Sequence, residues 1–308
     1  MKLFYENKEI KLNTTELKVS DNISGKADSL SVTFSDIKSE CTKWEFKKGD
    51  SIKVVDSNFS TGLMYVDRYS CSNGLYSVDA LSIKKGIKTK NTRVWEKVSF
   101  LDLAKDLAES MNLNLKFYGV EDFIYSRVDQ IEKSDLAFLK ERCILEGCIL
   151  KIYNGNALII SEEYIKNQST VITISSDEIK GKYSFETTSN GILGGVKLLS
   201  IQDKLIHGEC IDDSYGEILT IKDIYLTSNY EANRFSKNIL NYVNRNESTG
   251  TFYIELNSDL ASGNLIKLND FNLFSGIYII ETVIHDFIKN ISRLRVRKIW
   301  LKNAKFHQ

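Results

Sequence analysis

The chain has 308 residues, 42% hydrophobic and 27% charged, the balance of a folded globular protein long enough for two or three domains. With 41 Lys plus Arg against 41 Asp plus Glu the formal net charge is zero. The basic excess that neutralises phosphates is missing, and nucleic acid is not expected as the main partner. The opening Met1 to Asn7 lacks an apolar run of signal-peptide type, and no window holds the roughly 18 apolar residues of a membrane span, so cytosolic synthesis without membrane insertion is expected.

Residues 1 to 92 read as strands separated by turns. Ser29 to Ser35 alternates polar and apolar side chains, the period-2 pattern of a half-buried strand. Ser51 to Asp56 and Gly62 to Asp67 follow, then Leu75 to Ile83, introduced by Asn73-Gly74, a tight-hairpin signal because both residues tolerate positive φ. In the middle segment Ser99 is an N-cap candidate with Asp102 three residues on, and Phe100, Leu103, Ala104, Leu107, Ala108 and Met111 recur at helical spacing. A second helix is predicted from about Ser134, with Leu136, Leu139, Cys143 and Ile144 on one face. It feeds a hairpin, Cys148 to Tyr153 and Asn156 to Ile160, turned at Asn154-Gly155. Strands return with Thr170 to Ile174 and Glu217 to Ile221. A helix is predicted over about 229 to 245, burying Ala232, Phe235, Ile239 and Val243. Four strands close the chain, around 250–257, 264–268, 276–284 and 292–300. The expected division is 1–93, a β unit; 94–166, an α+β insert of two helices and a hairpin; 167–302, a second β unit with one helix; and a 303–308 tail.

Two distant segments share a pattern. Gly49-Asp50-Ser51-Ile52-Lys53, Asp56, Thr61-Gly62 and Asp67 match Gly263-Asn264-Leu265-Ile266-Lys267, Asp270, Ser275-Gly276 and Glu281 at identical offsets from the first glycine. The physical reading is a strand, a turn closed by Asp and Gly, and a returning strand. Chance similarity between two hairpins is the bland alternative; a duplicated β unit, marked by Gly49, Asp56, Gly62, Gly263, Asp270 and Gly276, is preferred. Three chains with two such units each would form a ring of six roughly equivalent positions, able to dock a threefold partner on one side and a sixfold one on the other.

No catalytic constellation stands out, and no catalytic, cofactor or metal residue is expected. The histidines His207, His285 and His307 form no motif, and His285 reads as a satisfied or exposed strand residue. The glycine-rich Gly191 to Gly195 lacks the Lys-Ser/Thr of a phosphate loop and reads as a flexible loop or bulge. The five cysteines, Cys41, Cys71, Cys143, Cys148 and Cys210, are scattered and odd in number, which fits reduced thiols. Glu121-Asp122, Glu162-Glu163 and Asp212-Asp213 read as solvated loops rather than an acid–base pair, and the basic run Lys84, Lys85, Lys88 and Lys90 as a solvated connector. Proline is absent from the whole chain, so unit junctions must be short and built of Gly, Ser, Asn and Asp.

The order of these pieces resembles the late-control D type phage tail proteins and the related tail-hub proteins of PBSX-like prophages. Three stretches carry it: Gly25 to Asp36 followed by Lys48-Gly49-Asp50 and Gly62 to Asp67; Lys133 to Glu141 leading to the Asn154-Gly155 hairpin; and Ser275 to Glu281 through Val283-Ile284-His285. The resemblance implies two tail-tube-like β-barrel domains with an inserted domain, α+β in class and mostly β. It implies a homotrimeric, non-enzymatic baseplate hub of a contractile tail or tail-like bacteriocin, adapting the sixfold tail tube to the threefold spike. The partners it implies are the tail tube protein, the central spike or tip protein, other baseplate proteins and the tape measure protein. Assembly in the host cytoplasm would precede residence in the tail. The alternative reading is a cell-wall-binding or wall-degrading tail component.

Overall fold

The computed structural model describes residues 1–23, 25–38, 45–56, 59–201, 204–212, 216–222 and 224–299. Cys41, Asp213, His307, the end of the 292–300 strand and the 303–308 tail lie outside the described residues. The fold is α+β and mostly β. Its first part holds β1 (Lys2–Tyr5), β2 (Lys8–Ile10), β3 (Thr14–Asn22), β4 (Ser29–Ser35), β5 (Ser51–Asp56), β6 (Phe59–Ser60), β7 (Met64–Ser72) and β8 (Leu75–Leu81). The middle holds β9 (Lys90–Ser99), α1 (Phe100–Ser110), β10 (Asn114–Tyr118), β11 (Ile124–Ser134), α2 (Asp135–Leu145), β12 (Cys148–Tyr153), β13 (Asn156–Ser161) and α3 (Glu162–Lys166). There follow β14 (Thr170–Ser175), β15 (Ser184–Thr187), β16 (Gly195–Ile201), β17 (Leu205–Ile211), β18 (Ile218–Ile221) and α4 (Asn229–Asn244). The last strands are β19 (Ser248–Glu255), β20 (Leu265–Asn269), β21 (Gly276–Asp286) and β22 (Ile291–Lys298).

Local chemistry accounts for most of these elements. In β4, Leu30, Val32 and Phe34 fill one buried face, while Thr33 on the other settles its hydroxyl on Ser77 at 3.0 Å. The Ser99 hydroxyl accepts the Asp102 N–H (3.1 Å), Ser134 that of Ala137 (3.3 Å) and Ser228 that of Glu231 (3.2 Å), so each long helix starts on a serine cap. Both Asn-Gly turns adopt positive φ at each residue, 52° and 71° at 73–74 and 49° and 71° at 154–155, as a tight hairpin requires.

A single 14-stranded sheet runs through the first and last parts of the chain, because β3 pairs with β4 on one side and with β21 on the other. Two apolar cores flank that seam, one around Leu17, Val32, Phe34 and Val78 and one around Phe252, Ile266, Tyr278 and Val296. The 229–244 helix forms where its spacing places it, yet it packs away from the second core. Ala232, Phe235 and Leu240 join Phe100, Leu103, Leu139 and Ile159 in the middle cluster, roofed by the three-stranded β17–β16–β18 sheet. Contact is close enough that a Cβ on Gly208 would lie 2.4 Å from the α4 backbone. The stretch Gly191 to Gly194 is a turn leading into β16.

Candidate assembly site at the unit junctions

The two segments that share a sequence pattern also share a backbone. Gly49 and Gly263 both sit at φ 93°, a left-handed conformation that side chains resist. The Gly49 N–H donates to Val66 O and the Val66 N–H to Asp50 O, at 2.8 and 2.9 Å; Gly263 to Ile280 and Ile280 to Asn264 repeat both distances. Ser51 faces Tyr65 and Ile52 faces Met64, as Leu265 faces Ile279 and Ile266 faces Tyr278. Each returning strand then bulges, between Val66 and Arg68 and between Ile280 and Thr282, with an acidic residue, Asp67 or Glu281, as the extra one.

Other matched positions differ. Asp56 ends β5 and pairs with the Met1 amino group at 2.7 Å, whereas Asp270 follows β20 at φ 64° in a turn. Gly62 has φ 65°, and a Cβ there would come within 2.7 Å of Asn154 Cβ, while Gly276 at φ 136° has open surroundings.

The middle unit grips both β units through polar contacts between residues far apart in the chain. On the first unit, Asn154 Oδ1 accepts the Leu63 N–H (3.0 Å) and the Tyr153 hydroxyl donates to Ser60 O (3.0 Å). At the seam, Asp21 of β3 accepts the Ser262 N–H (3.0 Å) and hydroxyl (2.6 Å) and forms an ion pair with Lys151 of β12. Neighbouring Asp28 accepts the Asn22 N–H at 2.8 Å, and burial pushes its carboxyl up to about 7, with Lys151 opposing and the Asp21 charge reinforcing the shift. On the second unit, buried Arg297 donates to Glu162 (2.9 Å) and lies 3.2 Å from Glu281. Inside the middle unit burial works against ionisation of Asp135, yet bonds from Arg93, Gln130, Ser110 and Asn91 hold it down at about 2.

His285 is buried in this seam, its ring nitrogens 2.9 Å from Ser292 Oγ and 3.1 Å from Leu260 O, and burial lowers its pKa. His207 is exposed on β17, and its backbone N–H donates to Asn229 Oδ1 at 3.1 Å. Burial raises the thiols of Cys143, Cys148 and Cys210, which makes them poor nucleophiles. Lys85 to Lys88 form a short turn whose Ile87 is buried. The sheet ends at β2 and β15, each paired on one side among the described residues. Large apolar side chains stand exposed at Ile37, Val171, Leu273 and Ile277, and at Ile201 and Leu205 on the β16–β17 hairpin. Sequence reasoning picked out the two segments that share a backbone at the glycine and the bulge, and the Asn154-Gly155 turn; it missed Asp21, Lys151, Ser262 and Arg297, which carry no local pattern.

No protein-family model and no curated protein matches the sequence. The fold has clear relatives among solved structures. The tail protein from Neisseria meningitidis MC58 superimposes with a TM-score of 0.77 at 14% identity, over 97% of each chain. The prophage MuSo2 43 kDa tail protein from Shewanella oneidensis gives 0.76 at 10% identity, over 96% of this chain and 97% of its own. The E. coli c3393 protein, a component of the type VI secretion system described as similar to T4 bacteriophage tail proteins gp27 and gp5, gives 0.60 at 10% identity over 100% of this chain and 80% of its own. The chain therefore has the fold of phage tail proteins along nearly its whole length.

Proposed function

We propose that this chain is a structural hub protein of the baseplate of a contractile phage tail or tail-like particle. In this reading three copies form a ring whose six similar β units face the sixfold tail tube on one side and the threefold central spike or tip protein on the other. The observation that carries it is the repeated glycine–strand–bulge backbone in the two β units, within a fold shared with tail proteins from end to end. The exposed strands β2 and β15 suit edge pairing with neighbouring chains, and the exposed apolar side chains on β14, β21 and the β16–β17 hairpin suit further contacts. Other baseplate proteins and the tape measure protein are the remaining partners of such a hub.

The division into 1–93, 94–166, 167–302 and a 303–308 tail is part of the proposal, with 195–244 serving as an outer layer on the middle unit. The role is mechanical rather than enzymatic, exercised after assembly in the bacterial cytoplasm and then in the tail. Light scattering of the purified chain, alone and mixed with its tube and spike proteins, tests the ring. A trimer in either condition agrees with it; a monomer under both removes the hub reading.

A further inference from the structure

A cleft of about 450 Å³ lies away from the repeated segments, between α4 and the layer made by the end of α2, β12 and the start of α3. The charges at its base are already matched. Glu146 accepts two bonds from Arg234, at 2.9 and 3.0 Å, and one from the Tyr125 hydroxyl at 2.5 Å, and Glu162 is taken by Arg297. Arg234 in turn lies 3.7 Å from the centre of the Phe123 ring.

Three features of the walls remain open to a ligand among the described residues. Asn241 is only 7% exposed and lines the cleft, yet its side-chain amide makes no hydrogen bond with any described residue. Its polar atoms are not sealed off, so they open onto the cleft. An amide placed there can both donate to and accept from a group bound in the cleft. Second, among the described residues Glu121 makes no ion pair and Glu163 only a 3.9 Å contact with exposed Lys166, and Lys237 brings an ammonium to the same walls. On the cleft wall the Cys148 thiol is pushed up to about 12, by burial first and then by the carboxylates of Glu146, Glu162 and Glu121. Third, Tyr230 stands 67% exposed on the wall, with Arg234 5.7 Å from its ring, while the ring of Tyr242 is already covered by Arg245 at 3.8 Å.

We propose that this cleft is a binding site for a segment of a partner protein that presents an arginine or lysine side chain. The cation pairs with Glu121 and Glu163 and rests against the exposed ring of Tyr230, and the Asn241 amide takes the N–H and C=O of an adjoining peptide unit. The volume falls in the range of about 300–1,000 Å³ typical of ligand sites, enough for a few residues and not for a whole domain. A neutral saccharide would meet the asparagine and the Tyr230 ring but gain nothing from the net negative charge. The site stands whether or not the hub reading does, since none of its residues belongs to the repeat.

The test is a titration of the full 308-residue chain, followed by the NMR resonance of the Asn241 side-chain amide. The probes are acetyl-Gly-Arg-Gly-amide, acetyl-Gly-Lys-Gly-amide, acetyl-Gly-Glu-Gly-amide and N-acetylglucosamine. The two cationic peptides are expected to shift the resonance saturably with Kd near 1 mM, about −4 kcal/mol, and the Glu peptide to bind at least about tenfold more weakly. The Glu121→Gln/Glu163→Gln double variant changes two exposed side chains and so keeps the fold; it is expected to weaken the cationic peptides at least about fivefold. In Asn241→Leu, followed by peptide-observed saturation transfer, binding should fall while the unfolding temperature holds or rises, because no internal bond is lost. Absence of a saturable shift up to about 20 mM peptide, equal binding of the Glu peptide, unchanged binding by the double variant, or binding of the saccharide alone would each overturn the proposal.

Discussion

In the first β unit the bulge residue Asp67 is exposed to solvent; in the second its counterpart Glu281 is buried beside Arg297, which also holds Glu162 of the middle unit. The backbone hydrogen bonds around the two residues are the same to within a tenth of an ångström. A glycine at φ 93° and a bulge specify the path of the chain, and the side chain at the bulge is then free to serve a neighbour or water. Beside the first repeated hairpin the middle unit is met through neutral contacts, Asn154 to Leu63 and Tyr153 to Ser60, with the Asp21–Lys151 ion pair set apart at the seam; beside the second it is met through a charge cluster built on buried Arg297. Equal backbones can thus carry joints of unequal electrostatic cost.

The sharpest way to break the comparison is Arg297→Ala, which takes the cation from half-buried Glu162 and leaves buried Glu281 only the half-exposed Arg295 at 3.4 Å. A loss of about 3–5 kcal/mol in urea unfolding is expected, and a loss under 1 kcal/mol would show that the cluster contributes little. Next come the matched glycines. Gly263→Ala adds a Cβ 2.9 Å from Ile23 Cδ1 on top of the backbone strain, so about 2–3 kcal/mol is expected; Gly49→Ala has open space and should cost about 1 kcal/mol. Equal costs at both positions would mean that strain alone decides.

The seam between the units offers a pH-dependent probe. The Asp28 carboxyl is raised from its unfolded value, so its contribution favours the folded state at low pH and is lost as pH rises through about 7. Asp28→Asn keeps an acceptor for the Asn22 N–H and removes that titration. Its stability relative to the parent should increase by about 1–2 kcal/mol between pH 5 and pH 8, and a flat difference would assign the titration to another group of the cluster. The smallest effect belongs to Asp67→Ala, within about 0.5 kcal/mol, because the side chain is exposed. A larger loss there would mean that the two bulges are held by their acids after all.

Much of this was legible in the residues. The alternation of Ser29 to Ser35, the serine caps at Ser99 and Ser134, both Asn-Gly turns and the 229–244 helix are each decided by neighbours a few positions away. Strands β9 and β11 escaped detection because their charged residues, such as Lys90, Glu96 and Arg127, mark a two-stranded ribbon with one wet face. The hairpin of β16 and β17 was hidden where Gly191 to Gly195, read as a loop or bulge, runs into β16. Glu121 and Glu162-Glu163, taken separately as solvated loops, meet at one cleft, a proximity that forty intervening residues conceal.

Sequence by itself determined the local geometry: where the chain turns, which face of each strand or helix is apolar, and that one glycine-to-acid pattern occurs twice. Those properties depend on backbone preference and on side-chain period, which act over a few residues. Tertiary structure alone decided what each apolar face meets and which charges become buried together. An amphipathic stripe on α4 says that one side is covered, not that the middle unit rather than the second β unit covers it. Likewise Asp21, Lys151 and Ser262 are ordinary surface residue types until three remote segments fold against one another, when removal from water turns them into a single joint.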